Sequence, residues 1–297
     1  MTTSISILIP TKDRQKQITR LLDSIRRSAD LDRIYPEVIV GENGSADQTW
    51  DTLQKISTDF PVPLRLIRID KPGKCKILNE AIRTAKGELL AFLDDDVIVD
   101  ANWLVALANF FDQSTCLAAQ GTIRIPQEEL KDPQVVSLMQ RFRTAHHLER
   151  DRHADNLNSL NGANMAIRRE VFAKVGDFDI RLGPGAAGTS EDVELAQRMR
   201  RAGIKIGYMA DAVVYHKVYR ARLTEAYFKQ LHQRQGVSRL VYKDQSAMRI
   251  FLDLCRSSLQ YSYHSLCGDE RNRYRNKGRM YHYGAMLKAK LGRHNPS

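Results

Sequence analysis

Hydrophobic and polar positions alternate in blocks along the first ninety residues. Ile7, Leu8 and Ile9 form a short apolar run closed by Pro10, and Ile18, Leu21, Leu22 and Ile25 then recur at helical spacing. Glu37 to Val40 reads as a second strand, followed by a polar turn at Glu42-Asn43-Gly44-Ser45. Trp50, Leu53 and Ile56 mark a helix, Leu64 to Ile69 a third strand, and Ile77, Leu78, Ala81 and Ile82 another helix. Glu88 to Leu93 predicts a fourth strand that runs straight into Asp94, Asp95 and Asp96. Strand and helix in this rhythm predict βαβ units and an α/β fold with a mainly parallel sheet.

The rest of the chain is less regular. A helix is expected from Trp103 to Phe111, a strand near Leu117 to Ile125, and a helix over Asp132 to Arg152 carrying His146 and His147. Leu160 to Ile167 reads as a strand with Gly162 inside it, and Arg168 to Val175 as a short helix. Gly183 to Gly188 cannot hold regular structure and reads as a mobile loop before an amphipathic helix that starts at Thr189 or Ser190. Lys205 to Tyr215 is the last expected strand, ending at His216. Beyond it lie amphipathic helical stretches, one of which aligns Met248, Phe251, Leu252, Cys255 and Leu259 on one face.

Charge divides the chain in the same way. From Lys217 onward there are 17 Lys and Arg against 5 Asp and Glu, a balance of +12, whereas the preceding 216 residues balance at −1. A near-neutral domain of residues 1–220 is therefore expected, joined to a basic, mainly helical extension of 221–297 that meets something anionic. No stretch approaches the ~18 uninterrupted apolar residues that span a bilayer. The first residues lack the basic and apolar regions of a secretory signal, and the four scattered cysteines read as free thiols. Cytoplasmic location is the expectation, with peripheral contact at the inner face of the membrane. A nucleic-acid binder is disfavoured, because the charge sits in one tail, the expected ligand rim is acidic and there is no RRM-, helix-turn-helix- or finger-like signature.

Three strands end in polar groups: Pro10-Thr11-Lys12 with Arg14 close behind, Gly41-Glu42-Asn43, and the three aspartates. In parallel sheets ligands bind beyond the carboxyl ends of strands, so these groups are expected on one rim. Adjacent carboxylates repel one another, and a hard cation such as Mg²⁺ or Mn²⁺ would relieve them while tethering a diphosphate. Glu42 can accept from a base or ribose, although it also suits a turn. Lys74 can meet phosphates or base carbonyls, with a solvated helix-start lysine as the alternative. Glu191 and Asp192 open a helix, where acids cap free N–H groups; Asp192 is also a candidate general base. His216 is a candidate metal ligand. Asn164 suits either orientation of sugar hydroxyls or a buried amide's packing role.

The run SILIPTKDR, VIVGENGSAD, KPGKCKILNEAIRTAKGELLAFLDDDV, NGANMAIRREVFAKVGDFDIRLGPG and SEDVELAQRMRRAGIKIGYMADAVVYH resembles the GT-A family 2 glycosyltransferases over about residues 4–220. The resemblance implies a Rossmann-like mixed, mostly parallel sheet, a nucleotide-sugar donor, a divalent cation (Mn²⁺ or Mg²⁺) and inversion at the anomeric carbon. It places Pro10 and Glu42 at nucleotide-binding positions, Asp94 on the nucleoside, Asp95 beside it, and Asp96 and His216 at the metal. Asp192 matches the base of the family's "ED" motif, with Glu191 beside it as a substrate-binding candidate. Glu42 stands where the family usually has Asp, which bears on base preference. The implied activity is hexosyl transfer from a UDP-sugar rather than a GDP-sugar to a glycan or lipid-linked hydroxyl, in polysaccharide or glycolipid synthesis. The rival readings are a nucleotide-sugar-binding protein without transferase activity and a binder of anionic surfaces through the basic tail.

Overall fold

The computed structural model describes residues 3–292. In chain order its elements are β1 (Ile5–Thr11), α1 (Gln15–Arg26), α2 (Leu31–Ile34), β2 (Glu37–Glu42), α3 (Thr49–Ser57), β3 (Leu64–Arg68), α4 (Lys74–Thr84), β4 (Leu89–Phe92), β5 (Val97–Val99) and α5 (Trp103–Gln113). There follow β6 (Ala118–Arg124), α6 (Gln127–Leu130), α7 (Pro133–Phe142), β7 (Met165–Arg168), α8 (Glu170–Val175), α9 (Glu191–Arg201) and β8 (Ile206–His216). A short 3₁₀ turn precedes α10 (Glu225–Tyr242), α11 (Ala247–Leu266) and α12 (Glu270–Gly292).

The chain forms two compact units. The first takes in the chain up to Ile125, His146–Ile180 and Glu191–Lys217; the second takes in Pro126–Ala145, Arg181–Ser190 and the chain from Val218 onward. The first unit holds an eight-stranded mixed sheet of order β3-β2-β1-β4-β7-β6-β8-β5. β1 lies parallel to β2 and to β4, and β2 parallel to β3. β7 is antiparallel to β4 and β6, β8 is parallel to β6, and β5 is antiparallel to β8. The chain thus winds outward from β1 to β3 and returns on the other side of β1 as β4. That reversal opens a crevice at the carboxyl ends of β1 and β4, the usual ligand position in such sheets.

The continuous apolar runs of the strands follow from burial on both faces. Ile7, Ile9, Val38, Val40, Leu89 and Ala91 pack on one side with Leu21, Leu22 and Ile25 of α1 and Trp103, Leu104 and Leu107 of α5. Their neighbours Leu8, Ile39, Leu90 and Phe92 turn to the other side, against α4, α8 and α9. Each buried Val, Leu, Ile or Phe side chain among them contributes about 1.5–3 kcal/mol by leaving water.

Two expectations change, and one strand is additional. The strand expected at Leu160–Ile167 is confined to Met165–Arg168, because Asn161 to Ala163 form a turn in which the Asn161 carbonyl accepts from the Asn164 N–H. The helix expected through Arg152 ends at Phe142, where Arg143 takes a left-handed φ of 53°. Val97–Val99, which belong to none of the expected elements, pair antiparallel with β8 as a strand. In the second unit the Gly183–Gly188 loop is irregular, as expected. It is nevertheless held by its own turn, with the Gly188 N–H donating to the Gly183 carbonyl at 2.9 Å, and by Ser238 of α10, which donates to the Ala187 carbonyl at 3.0 Å.

Candidate active site

Register brings the polar strand ends together. Thr11 pairs with Glu42 across β1 and β2, and the aspartates emerge one strand away, beyond Phe92. The Thr11 hydroxyl donates to Asp95 at 2.7 Å. Burial, followed by the charge of Asp96, pushes the Asp95 carboxyl up to about 7 despite that bond. Lys12 is exposed at the loop tip and Arg14 is half-buried. The two loops beside this rim are stitched together: the Asp13 N–H donates to the Ser45 hydroxyl and the Ala46 N–H to the Asp13 carboxylate.

Glu42 is fully buried. One carboxylate oxygen accepts from the Ser45 N–H; the other lies 3.2 Å from the Arg68 guanidinium but receives no hydrogen bond. Arg68 in turn lies over the Trp50 ring at 5.1 Å. A buried carboxylate oxygen with spare acceptor capacity beside an aromatic ring suits a heterocyclic N–H or a ribose hydroxyl. Neither Arg68 nor Trp50 stood out in the sequence, since each reads as an ordinary strand or helix residue.

Asn43 sets the next wall. Its amide donates to the Ile69 and Lys71 carbonyls, and its Oδ1 accepts from the Gly73 N–H at 2.8 Å. Gly73, at φ 144°, makes a bend that side-chain-bearing residues rarely adopt and launches α4 with Lys74 as its first residue. Lys74 donates to Asp94 at 2.7 Å and lies 3.1 Å from Glu191. Burial works against its charge, but the Asp94 and Glu191 carboxylates prevail and hold the ammonium well above its ordinary pKa.

Asp192 adjoins this group. Its two oxygens accept from the Gly162 N–H at 3.0 Å and the Val193 N–H at 2.8 Å. Burial, and next the Glu191 charge, raise its pKa to about 7. Lys74, Asp94, Gly162, Glu191 and Asp192 line one pocket, floored by Phe92 and Leu93. A carboxyl poised near neutrality at a pocket wall has the properties of a general base.

His216 faces Asp96 at 3.2 Å, because antiparallel pairing of Val97 with His216 brings the two ends together. The His216 Nδ1 lies 2.8 Å from the Lys217 carbonyl, which can only accept, so that nitrogen carries a proton. In the neutral ring Nε2 then turns a lone pair toward a carboxylate, an arrangement that fits a cation between them. The His146 ring stacks on His216 at 4.7 Å, a partner that the expected helix over 132–152 had concealed. Among the described residues no three His, Cys, Asp or Glu side chains form a ready-made metal cluster. The donor set is one carboxylate and one imidazole, which fits a hard cation completing its shell with phosphate oxygens and water.

Asn164 stands apart from these groups. Its Oδ1 accepts from the Trp103 indole at 3.0 Å and its amide donates to the Thr122 and Ala212 carbonyls. Both amide hydrogens are thus committed to the fold, in keeping with the packing role.

Residues 3–236 match the sequence family described as Glycosyltransferase like family 2. The chain belongs to this family. Among curated proteins, this family 2 chain is 27% identical to the O-antigen biosynthesis protein RfbC of Myxococcus xanthus over 76% of its own length and 18% of the relative's. It is 24% identical to glycosyltransferase AglE of Haloferax volcanii, over 71% of this chain and 66% of that one. The chain therefore spans less than two thirds of either relative. Among solved structures, mannosyltransferase PcManGT from Pyrobaculum calidifontis, in complex with GDP-Man and Mn²⁺, superposes with a TM-score of 0.66 at 16% identity, over 98% of this chain and 88% of that one. Staphylococcus aureus TarS 1-349 with UDP-GlcNAc gives 0.55 at 18% identity, over 97% and 92%. These likenesses bear on the fold, which is that of GT-A glycosyltransferases.

Proposed function

We propose that this family 2 chain is a glycosyltransferase that moves a hexose, with inversion, from a nucleoside-diphosphate sugar to an acceptor hydroxyl on a glycan or lipid-linked chain, in polysaccharide or glycolipid synthesis. The observation that carries the reading is the meeting of Asp192 with the Lys74–Asp94 pair in one pocket at the sheet's switch point. Relatives named for O-antigen work and neighbours solved with GDP-Man or UDP-GlcNAc support the donor class and pathway. UDP is favoured over GDP as the carrier. Residues 1–220 would do the chemistry, with 221–297 as a basic extension that contacts an anionic surface at the inner face of the membrane.

In this reading Pro10, Thr11, Lys12, Arg14 and Glu42 receive the nucleotide, with Asp94 on the ribose side and Asp95 held by Thr11. Asp96 and His216 would hold Mn²⁺ or Mg²⁺, which when bound offsets negative charge on the diphosphate. Ionised Asp192 takes the proton of the acceptor hydroxyl. That oxygen bonds to the anomeric carbon opposite the diphosphate, and the bond between that carbon and the phosphate oxygen breaks with its electron pair leaving on the nucleotide. Lys74 supplies a fixed cation beside the base, and the Gly162 N–H orients the Asp192 carboxylate. Glu191 pairs with Lys74 and lines the pocket beside Asp192, where it can also meet the substrate.

Calorimetry with UDP, GDP and their common sugar conjugates, with and without Mn²⁺, tests the reading. Metal-dependent binding of a UDP-sugar is expected. Folded protein that binds none of them would overturn it in favour of a chain that has lost its donor site.

A further inference from the structure

Helix α11 is amphipathic twice over. Ile250 and Ser257 face inward and are buried. On the opposite side Met248 is 67% exposed, Leu259 72% and Leu266 89%, with Phe251, Leu252 and Tyr263 also exposed. Met248 and Leu266 lie about five turns apart and hence in line, so these side chains form a continuous apolar stripe ~27 Å long. Six large exposed apolar residues along one helix face are more than the scattered singles of an ordinary surface. On α11 itself the exposed Arg249 and Arg256 border one edge of the stripe by helical position, and Arg271, Arg275 and Arg279 are exposed on α12.

We infer that the outward face of α11 lies on the surface of an anionic lipid bilayer. The inference deepens the extension's part in the proposed function, since it names the surface and the residues that meet it. Charge chooses the occupant. The chain from Lys217 onward carries +12, so a second copy seated here would bring like charge against like, whereas an anionic headgroup layer brings the opposite sign. Area agrees: one helix face ~10 Å wide offers roughly 300 Å², well below the about 800 Å² per partner of a stable protein interface. A bilayer sets no such minimum, and an apolar stripe with a basic edge is a form that lies in its interface. Among the described residues no helix is long and apolar enough to cross a membrane, so the contact is one of lying on the surface.

Flotation of the full chain with vesicles tests this. At about 50 mM salt it is expected to float with equal phosphatidylglycerol and phosphatidylcholine but not with phosphatidylcholine alone, and to lose binding as the Debye length shortens at high salt. The double variant Phe251→Glu, Leu259→Glu is expected to bind the anionic vesicles at least tenfold more weakly. Because both positions are exposed, its circular dichroism and its nucleotide-sugar binding should be unchanged. Equal flotation of the variant would overturn the inference. A wild-type dimer in the ultracentrifuge that the variant splits would assign the face to a second copy instead. Loss of transferase activity in a protein that still floats would count against the donor-site reading alone.

Discussion

The rim of the sheet and the outer face of α11 use hydrophobic residues in opposite ways. In β1 and β4 the apolar run is spent entirely on the core: Ile7, Leu8, Leu89, Leu90 and Ala91 are wholly buried. What the strands leave over at their ends is polar, and it is there that Asp94, Asp95 and Asp96 gather. In α11 the inward face is closed by Ile250 and Ser257, and what is left over is apolar. Function resides in what folding does not consume. A surplus of carboxylates asks for a cation and a diphosphate; a surplus of aliphatic surface asks for a non-aqueous neighbour.

The comparison breaks first if Asp192 is not the base. Asp192→Asn is expected to lower the transfer rate by about 10²–10⁴-fold while sparing UDP binding, measured by product formation against calorimetry. Equal loss of both would make it a structural cap. In wild type the rate should climb with pH and level off above about 7, where Asp192 is ionised. Stability runs the other way. A folded-state pKa raised from 3.8 means that stability is fully present below that value and is lost as pH rises through about 7. Asn cannot ionise, so Asp192→Asn should gain about 1 kcal/mol at pH 8, a melting rise of about 2–4 °C by calorimetric scan.

Next in size is the metal pair. Asp96→Asn should weaken Mn²⁺ binding by about 100-fold or more, read by Mn²⁺ paramagnetic resonance titration in the presence of UDP. Full metal-dependent activity in that variant would remove Asp96 from the site. The packed half is sharpened by Gly121→Ala. A Cβ there would collide with the Asn164 amide and disturb its bonds to Thr122, Ala212 and Trp103. A loss of about 2–3 kcal/mol in urea unfolding is expected. The smallest effect belongs to the helix: Leu259→Ser should change stability by no more than about 0.5 kcal/mol, because nothing in the fold rests on that side chain.

The sheet's first half was legible because its signals are local. Apolar runs, helical spacing and the polar turn at Glu42 each lie within a few residues, and each element formed close to its expected bounds. The irregular middle was not. Asn161 to Ala163 turn inside an apolar stretch, and Arg143 ends a helix whose pattern continues past it. His146 was hidden for the same reason: read as one more helical residue, it stacks instead on His216. The apolar face of α11 was readable from spacing, but its exposure was not, because periodicity shows that a face exists and not whether another element covers it.

By itself the sequence determined the α/β alternation, the three polar strand ends, the concentration of positive charge after Lys217, and the chemical identity of each candidate group. These depend on residue type and short spacing, which the chain carries wherever it goes. Only the tertiary structure decided which groups meet. Asp96 reaches His216 through the antiparallel pairing of β5 with β8, and Lys74 finds Asp94 and Glu191 because Asn43 bends the loop that launches α4. The raised pKa of Asp192 is likewise a product of burial beside Glu191. The two pairings are contacts between distant segments and the burial is a product of the whole fold, set by register and packing that no local pattern encodes.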